Sequence, residues 1–597
     1  MKNKLFLAPI HFFFYLIDDS FALGTRPHKN FFLYTYCTMK KLFYFFLFSL
    51  LGFTFKSVAQ NNPKPKLVVG IVIDQMRADY LYKYQSRYGE DGFKRLLREG
   101  FNFKNTNVNY IPSETAPGHA SIYTGTTPAY HGIIGNSWYD RQTESVTGNV
   151  SDTNEQIVGS VAKNPYGVSP KKMMSSTITD ELKLASNFKS KVISISIKDR
   201  GAILPGGKTA DAAYWHDWES SPGYFVSSSF YMKKLPNWVR KFNTQGKSNT
   251  YLNETWSTLY PIETYTASAA DDNTFEPSLG GKSSPTFPYD LKSMREKYKA
   301  KGTEYQLLWI SPKGNTLLTE FAITALQEEK MGMDDETDFL TISYSVPDVV
   351  GHTFGPQSVE MEDIFLRLDQ NLATLFTALD TKVGKNKYTL FLTADHGAIQ
   401  NVALLKENKL DAAIARTTGD ARQLEAFLDK KYGNGSWVNT INGNNLYLKK
   451  STIDENKLTM PVVQKEAVNF LMTLPEVSLA LTADDLQTQV YEEGIRKIIQ
   501  NGYYAKRSGD VLITYTSGTI IHPNPTIAVE KVNGTVHGSG YTYDTHVPMV
   551  WMGAGIPKGE SVRAVNPIDI APSLSMFLNI PLPSASQGES LRELFEK

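Results

Sequence analysis

From Leu67 to Ile73 the chain is apolar at every position except Gly70, and rich in β-branched residues. Such a run predicts a strand buried on both faces, as in a parallel sheet. Comparable runs recur at Lys191 to Ile197, Phe339 to Tyr344, Tyr388 to Leu392, Val511 to Tyr515 and Val547 to Met552. Between two of them, Met361, Ile364, Leu368, Leu372, Leu375 and Leu379 repeat at spacings of three and four, which gives one apolar helix face. Strands alternating with helices predict an α/β fold: a mostly parallel central sheet covered by helices on both faces. Two stretches break the alternation. Residues 201 to about 335 are rich in Tyr, Trp, Ser, Pro and Gly; residues 400 to about 505 are charge-mixed and partly helical. Both are expected to be insertions on one catalytic core running from about residue 64 to 597, the first as a lid over the site. There is no internal repeat.

A length of 597 residues excludes a single small domain, and 41% hydrophobic residues suffice for a large core. The formal net charge is +1 with no long run of like charges, so nucleic acid or an anionic membrane held by bulk charge is excluded as a partner. The N-terminus changes the picture. Residues 1 to 38 are an apolar and aromatic jumble. Met39-Lys40-Lys41 then opens a basic region, Leu42 to Phe55 is apolar, and Ser57-Val58-Ala59-Gln60 has cleavage-site spacing. That layout predicts a secretory signal peptide over 39–59, with Met39 as the true start and 1–38 an over-long gene prediction. A membrane-spanning helix is the alternative, but the run is short for one. The single cysteine, Cys37, lies upstream of that start. The expected mature chain therefore has no thiol, which excludes cysteine catalysis and thiolate metal ligands. It also has no segment long and apolar enough to span a membrane, and a periplasmic or secreted monomer is expected.

Asp74, Asp348 and Asp395 each follow closely on a strand-like run. Ligands in open α/β sheets bind beyond the carboxyl ends of the strands, so three such acids can converge on one crevice. His352 lies one helical turn after Asp348, His396 adjoins Asp395, and His537-Gly538 adds a late imidazole. Thr115 precedes Ala116-Pro117-Gly118, and Pro suits a first helical turn. Its hydroxyl would then stand at a helix N-terminus, where anions are favoured. Three Asp, three His and a hydroxyl suit hard or borderline divalent cations, zinc among them. Two such cations close together clamp an in-line displacement at phosphorus.

Singly, each segment also has an ordinary reading: Thr115 as a helix cap, Asp74 as another, Asp348 and His352 as a surface ion pair. Lys198 and Arg200 flank Asp199 at the end of a strand-like run. In an extended chain they would point the same way and could hold phosphate oxygens, or could simply be solvated. Asn136 can donate an amide to a phosphoryl oxygen or make a turn. His119, His131, His216, His522 and His546 have weaker claims, and His546 is the rival of His537.

The ordered set of Asn109-Tyr110-Ile111-Pro112, Thr115-Ala116-Pro117-Gly118-His119, Tyr123-Thr124-Gly125-Thr126-Thr127-Pro128, Asn136-Ser137-Trp138-Tyr139-Asp140, Thr393-Ala394-Asp395-His396-Gly397 and His537-Gly538-Ser539-Gly540-Tyr541 resembles the alkaline phosphatase superfamily. The resemblance is to its threonine-nucleophile, phosphate-insensitive bacterial branch. It implies two zinc ions per chain, one on Asp348, His352 and His537, the other on Asp74, Thr115, Asp395 and His396. It further implies a phosphothreonine at Thr115, with Asn136, Lys198 and Arg200 on the phosphate oxygens, and small phosphate monoesters as substrates. The alternative on the same metals is a phosphodiesterase or nucleotide pyrophosphatase. Sulfatases share the scaffold but need a Cys or Ser where Thr115 stands.

Overall fold

The computed structural model describes residues 64–161, 166–219 and 222–596; the expected leader and signal peptide lie outside the described residues. An eleven-stranded sheet organises them. Ten of its strands are labelled here: β1 (Leu67–Ile73), β2 (Phe101–Asn107), β3 (Val192–Ser196), β4 (Ala212–Asp217), β5 (Tyr224–Ser228), β6 (Asp338–Tyr344), β7 (Tyr388–Thr393), β8 (His546–Val547), β9 (Met549–Gly553) and β10 (Gly559–Val565). Their spatial order is β8-β2-β9-β7-β1-β6-β3-β4-β5, with Ile157–Val158 on the far edge and β10 paired to β2. The five middle strands from β7 to β4 are parallel. All seven residues of β1 are buried, as the uninterrupted apolar run requires.

The predicted helix is present over Val359–Leu379, closed at its start by Ser358 Oγ, which accepts from Met361 N–H at 3.0 Å. Its stripe Ile364, Leu368, Leu372 and Leu375 joins Ile71, Ile73 and Leu340 in one core.

The sheet is mostly parallel as expected, with an antiparallel flank where β9 runs against both β7 and β2. Two expectations change. Residues 201–219 and 222–228 belong to the core rather than to an insertion, because β4 continues the parallel register beside β3 and β5 returns beside it. The polar and aromatic Tyr214-Trp215-His216 hides that strand in the sequence, yet all of it is buried. Val511–Tyr515 lies outside the central sheet, in a four-stranded antiparallel sheet with Val438–Asn442, Asn445–Leu448 and Val477–Thr482. An apolar run reports burial on both faces and does not say in which sheet. This second sheet has a core of its own around Leu424, Trp437, Val463 and Ile513. It docks beside the Thr115 segment, where Asn501 Nδ2 donates to Asn109 O at 2.8 Å. No helix among the described residues is long and apolar enough to cross a membrane.

Candidate metal centre and nucleophile

The parallel strands deliver the acids. Asp74 follows the last residue of β1, and Asp395 and His396 follow β7. After β6 the chain turns at the same end of the sheet into the helix Val346–Phe354. This helix carries Asp348 in its first turn and His352 in its last, with Pro347 at its start. Thr115 opens the helix Thr115–Thr124, all ten residues of which are buried. His537 arrives from a late loop. Asp74, Asp395 and His396 place ligand atoms within 4.8 Å of one another, and so do Asp348, His396 and His537.

The three imidazoles share one arrangement. His352 Nδ1 bonds to Thr535 O at 2.8 Å, His396 Nδ1 to Gly397 O at 2.9 Å, and His537 Nδ1 to Ser113 O at 2.8 Å. A carbonyl only accepts, so each Nδ1 carries the proton and each Nε2 is left to ligate. His396 Nε2 faces Asp74 Oδ1 at 3.4 Å and Asp395 Oδ2 at 3.7 Å. His352 Nε2 and His537 Nε2 face Asp348 Oδ1 at 3.2 and 3.5 Å. Proximity alone thus gives His396 to both groups, whereas the direction of the Nε2 lone pair adds His352 to the Asp348 group.

Asp74 Oδ1, Thr115 Oγ1, Asp395 Oδ2 and His396 Nε2 are all buried without a hydrogen-bond partner. Asp395 Oδ2 does lie 3.2 Å from His119 Nδ1, but that nitrogen bonds to Thr115 O at 2.9 Å, so the contact is a near approach. Four unpaired polar atoms drawn from three separate segments are costly together unless a cation satisfies them. The donor set of carboxylate, imidazole and hydroxyl fits a divalent metal of the zinc type, and no thiol takes part.

The electrostatics agree. Burial raises the pKa of Asp74, and the Asp348 and Asp395 carboxylates add to that. Burial opposes the charge on Asp348 too, but His352 and Lys198 hold it well below the usual carboxylate range. Burial and then His537 push His396 well below the ordinary histidine value, so it is neutral. For His537 burial acts downward, yet Asp348 lifts it to about 9; a proton there satisfies the lone pair that a metal would take.

The two cations are placed differently from expectation. Lys198 keeps an extended backbone but lies just beyond the strand, as the residue preceding the helix Asp199–Gly206, whose first turn carries Arg200, so the two do not share one extended strand end. Lys198 Nζ is buried between Asp74 Oδ2 at 2.7 Å and Asp348 Oδ2 at 2.5 Å. Burial works against its charge, but these two acids keep its pKa above the ordinary lysine value. Arg200 has a buried Nε without a partner. Asn136 Oδ1 accepts from Ala116 N–H at 3.0 Å, which leaves the amide's Nδ2 as its donor.

His546 bonds to Lys104 O at the sheet edge and is no rival to His537. His131 bonds to Ser121, His216 to Trp309, and His522 to the backbone of Asn524, all outside the groups above. Two residues that support the centre carry little or no sequence signal. Gln75 Nε2 donates to Asp348 Oδ1 at 2.7 Å, and its backbone N–H to Asp395 Oδ1 at 3.2 Å. His119, beneath Thr115, bonds through Nε2 to Ser343 Oγ at 2.8 Å. Its place at the end of the Thr115-Ala116-Pro117-Gly118-His119 motif, one helical turn from Thr115, is the clue the sequence offers.

Residues 68–540 match the family model described as type I phosphodiesterase / nucleotide pyrophosphatase. The chain is 40% identical to alkaline phosphatase PafA of Elizabethkingia meningoseptica, over 89% of this chain and 95% of that protein. It is 42% identical to alkaline phosphatase PhoV of Synechococcus elongatus, over 90% and 94%. The crystal structure of wild-type PafA superposes with a TM-score of 0.82 at 39% identity, covering 89% of this chain and 99% of that one.

Proposed function

The chain belongs to the type I phosphodiesterase / nucleotide pyrophosphatase family, and from that premise we propose that it is an alkaline phosphatase, a hydrolase of phosphate monoesters attacked by Thr115 at a two-zinc centre. The observation that carries the reading is that Asp74, Asp395 and His396 bring ligand atoms within 4.8 Å of one another, with atoms of all three, and Thr115 Oγ1 as well, buried and unpaired. Asp74, Thr115, Asp395 and His396 would hold one metal, and Asp348, His352 and His537 the other. When bound, zinc lowers the pKa of oxygen nucleophiles and screens the charge that builds on the entering and leaving oxygens.

The protein's own groups do the rest. Thr115 Oγ1 stands at a helix N-terminus, where backbone N–H groups favour a phosphoryl group. It gives up its proton and bonds to phosphorus as the ester oxygen departs and takes up a proton. Water then attacks the phosphothreonine in line, the bond from phosphorus to Oγ1 breaks, and inorganic phosphate leaves. Asn136 Nδ2, the Arg200 guanidinium and the Lys198 ammonium would bind the non-bridging oxygens. Lys198 is poised between two acids. Once metals neutralise those acids, its charge can serve the substrate.

A monoester dianion carries more charge on its non-bridging oxygens than a diester does, so these donors favour the monoester. The same reading makes the protein an exported monomer, resting on the sequence from Met39 to Gln60 for export. The test compares kcat/KM for an aryl phosphate, its methyl diester and an aryl sulfate, in wild type and in Lys198→Ala, Arg200→Ala and Thr115→Ala. The monoester should dominate, the cation variants should lose monoester turnover selectively, and Thr115→Ala should lose it all. Equal losses on monoester and diester would return the chain to the diesterase reading that its family name favours.

A further inference from the structure

Away from the centre, one pair of carboxylates repeats its signature. Glu360 is wholly buried and Glu276 is 8% exposed. Glu360 Oε1 accepts from Tyr289 Oη at 2.5 Å, and Glu276 Oε1 from Asn273 Nδ2 at 2.7 Å. The Oε2 atoms of both are buried without a partner, and the two carboxyl groups lie within hydrogen-bonding reach of each other. Trp256 and Phe354 pack their rings 5.3 and 5.8 Å from Tyr289, so the surroundings are aromatic.

Charge is missing. Asp271 stands close enough to act on both glutamates. The neighbouring cation, Lys282, is committed to the carbonyls of Thr286 and Pro288 and lies over the Tyr289 ring. Burial, followed for Glu360 by its partner acid, drives both pKa values upward, that of Glu276 to about 8. Two facing carboxylates in such a medium need either a proton or a cation.

We propose that Glu276 and Glu360 bind a hard divalent cation of the calcium class at a structural site separate from the catalytic centre. Two carboxylates balance its charge, and oxygen is the ligand such ions take. Its place is informative. Glu360 lies in the first turn of the helix Val359–Leu379, and Glu276 lies in the segment that crosses over that turn, where Ala269 N–H donates to Gln357 O at 2.7 Å. Phe275, beside Glu276, accepts from Gly534 N–H at 3.3 Å, next to the Thr535 carbonyl that holds His352. A cation there would tie the crossing segment to the helix and brace the loop behind the metal ligands.

The experiment uses the full-length, zinc-loaded enzyme with terbium as the probe, excited through Trp256. Terbium emission should saturate, calcium should displace it, and Glu360→Gln should weaken it at least about tenfold because ligand charge sets affinity. Calcium should raise the melting temperature of wild type but not of Glu276→Gln, and phosphatase activity should persist in both variants. Tyr289→Phe, which keeps both acids, is the control if Glu360→Gln does not fold, and it should still bind terbium. Emission that is absent, or unchanged in the variants, overturns the proposal. So does a calcium-independent loss of wild-type stability as the pH rises through about 8 that Glu276→Gln abolishes, since the pair would then share a proton.

Discussion

Gln75 Nε2 meets Asp348 Oδ1 at 2.7 Å, the same oxygen toward which His352 and His537 turn their Nε2 atoms. Its backbone N–H meanwhile reaches Asp395, so one residue touches both ligand groups. It does this from φ 66°, a left-handed conformation that costs a non-glycine residue stability. Gln75→Ala should weaken metal binding by about 10–100-fold, the usual effect of removing an outer-shell partner. Gln75→Gly should bind metal as weakly and yet be more stable than Gln75→Ala. Competition with a chelator and thermal unfolding read the two effects separately; a glycine variant with wild-type affinity would show that the side chain is not needed.

Gly118 lets the helix that begins at Thr115 approach the strand end. A Cβ there would sit 2.4 Å from Asp395 Cβ and 2.8 Å from Asp395 O. Gly118→Ala should therefore push Thr115 away from Asp395 and cost on the order of 100-fold in kcat/KM, as small misplacements do. Its unfolding free energy should fall by only about 1–3 kcal/mol, the range for overpacking. Activity and denaturant curves on one preparation check both.

Chelation should destabilise the protein, because Asp74, Asp348 and Asp395 then face each other with Lys198 as the cation between two of them. At a metal concentration of ~1,000 times Kd, bound metal contributes about 4 kcal/mol per site. Thr115→Ala should show much the same chelator-dependent shift in melting temperature while being inactive. If it lost the shift as well, Thr115 would matter chiefly as a ligand.

Two buried histidines set an acid limit. Burial lowers His131 to about 3 and His216 to about 4. Their folded values lie below the unfolded one, so the unfolded chain takes up protons first, and the stability they allow near neutrality is lost as the pH falls through about 6.5 toward those values. A tenfold change in proton affinity corresponds to about 1.4 kcal/mol, so the pair together amounts to several kcal/mol. Asp420 and Asp569, both raised to about 6 by burial, act in the opposite direction. The informative quantity is therefore a difference. His131→Gln should flatten the loss of stability between about pH 6.5 and 4 in urea titrations relative to wild type.

Much of this is legible in the sequence because each strand-end acid has an apolar run in front of it. Asp74 and Asp395 can be placed by β1 and β7 alone, and the helix of Leu368 and Leu372 by its period. The geometry of Lys198 and Arg200 is not legible, because the apolar run before them does not show where the strand ends and the helix begins. Gln75, and the bonding role of His119, escape for a different reason. Their roles are hydrogen bonds to partners 273 and 224 residues away, and no local pattern records such a pairing. The strand Val511–Tyr515 looks like a member of the central sheet because burial leaves the same mark in both sheets.

The proposed ligands are spread from Asp74 to His537, and the last comes after the whole second sheet has been made. During synthesis, then, no partial chain can hold the full centre. A nascent protein that has just passed Gly397 carries Thr115, three of the proposed acids and two of the imidazoles, but not the loop whose carbonyl orients His352. Competence for metal arrives late and nearly all at once, so a truncated or stalled product would be a poor scavenger of the ion as well as an inactive enzyme.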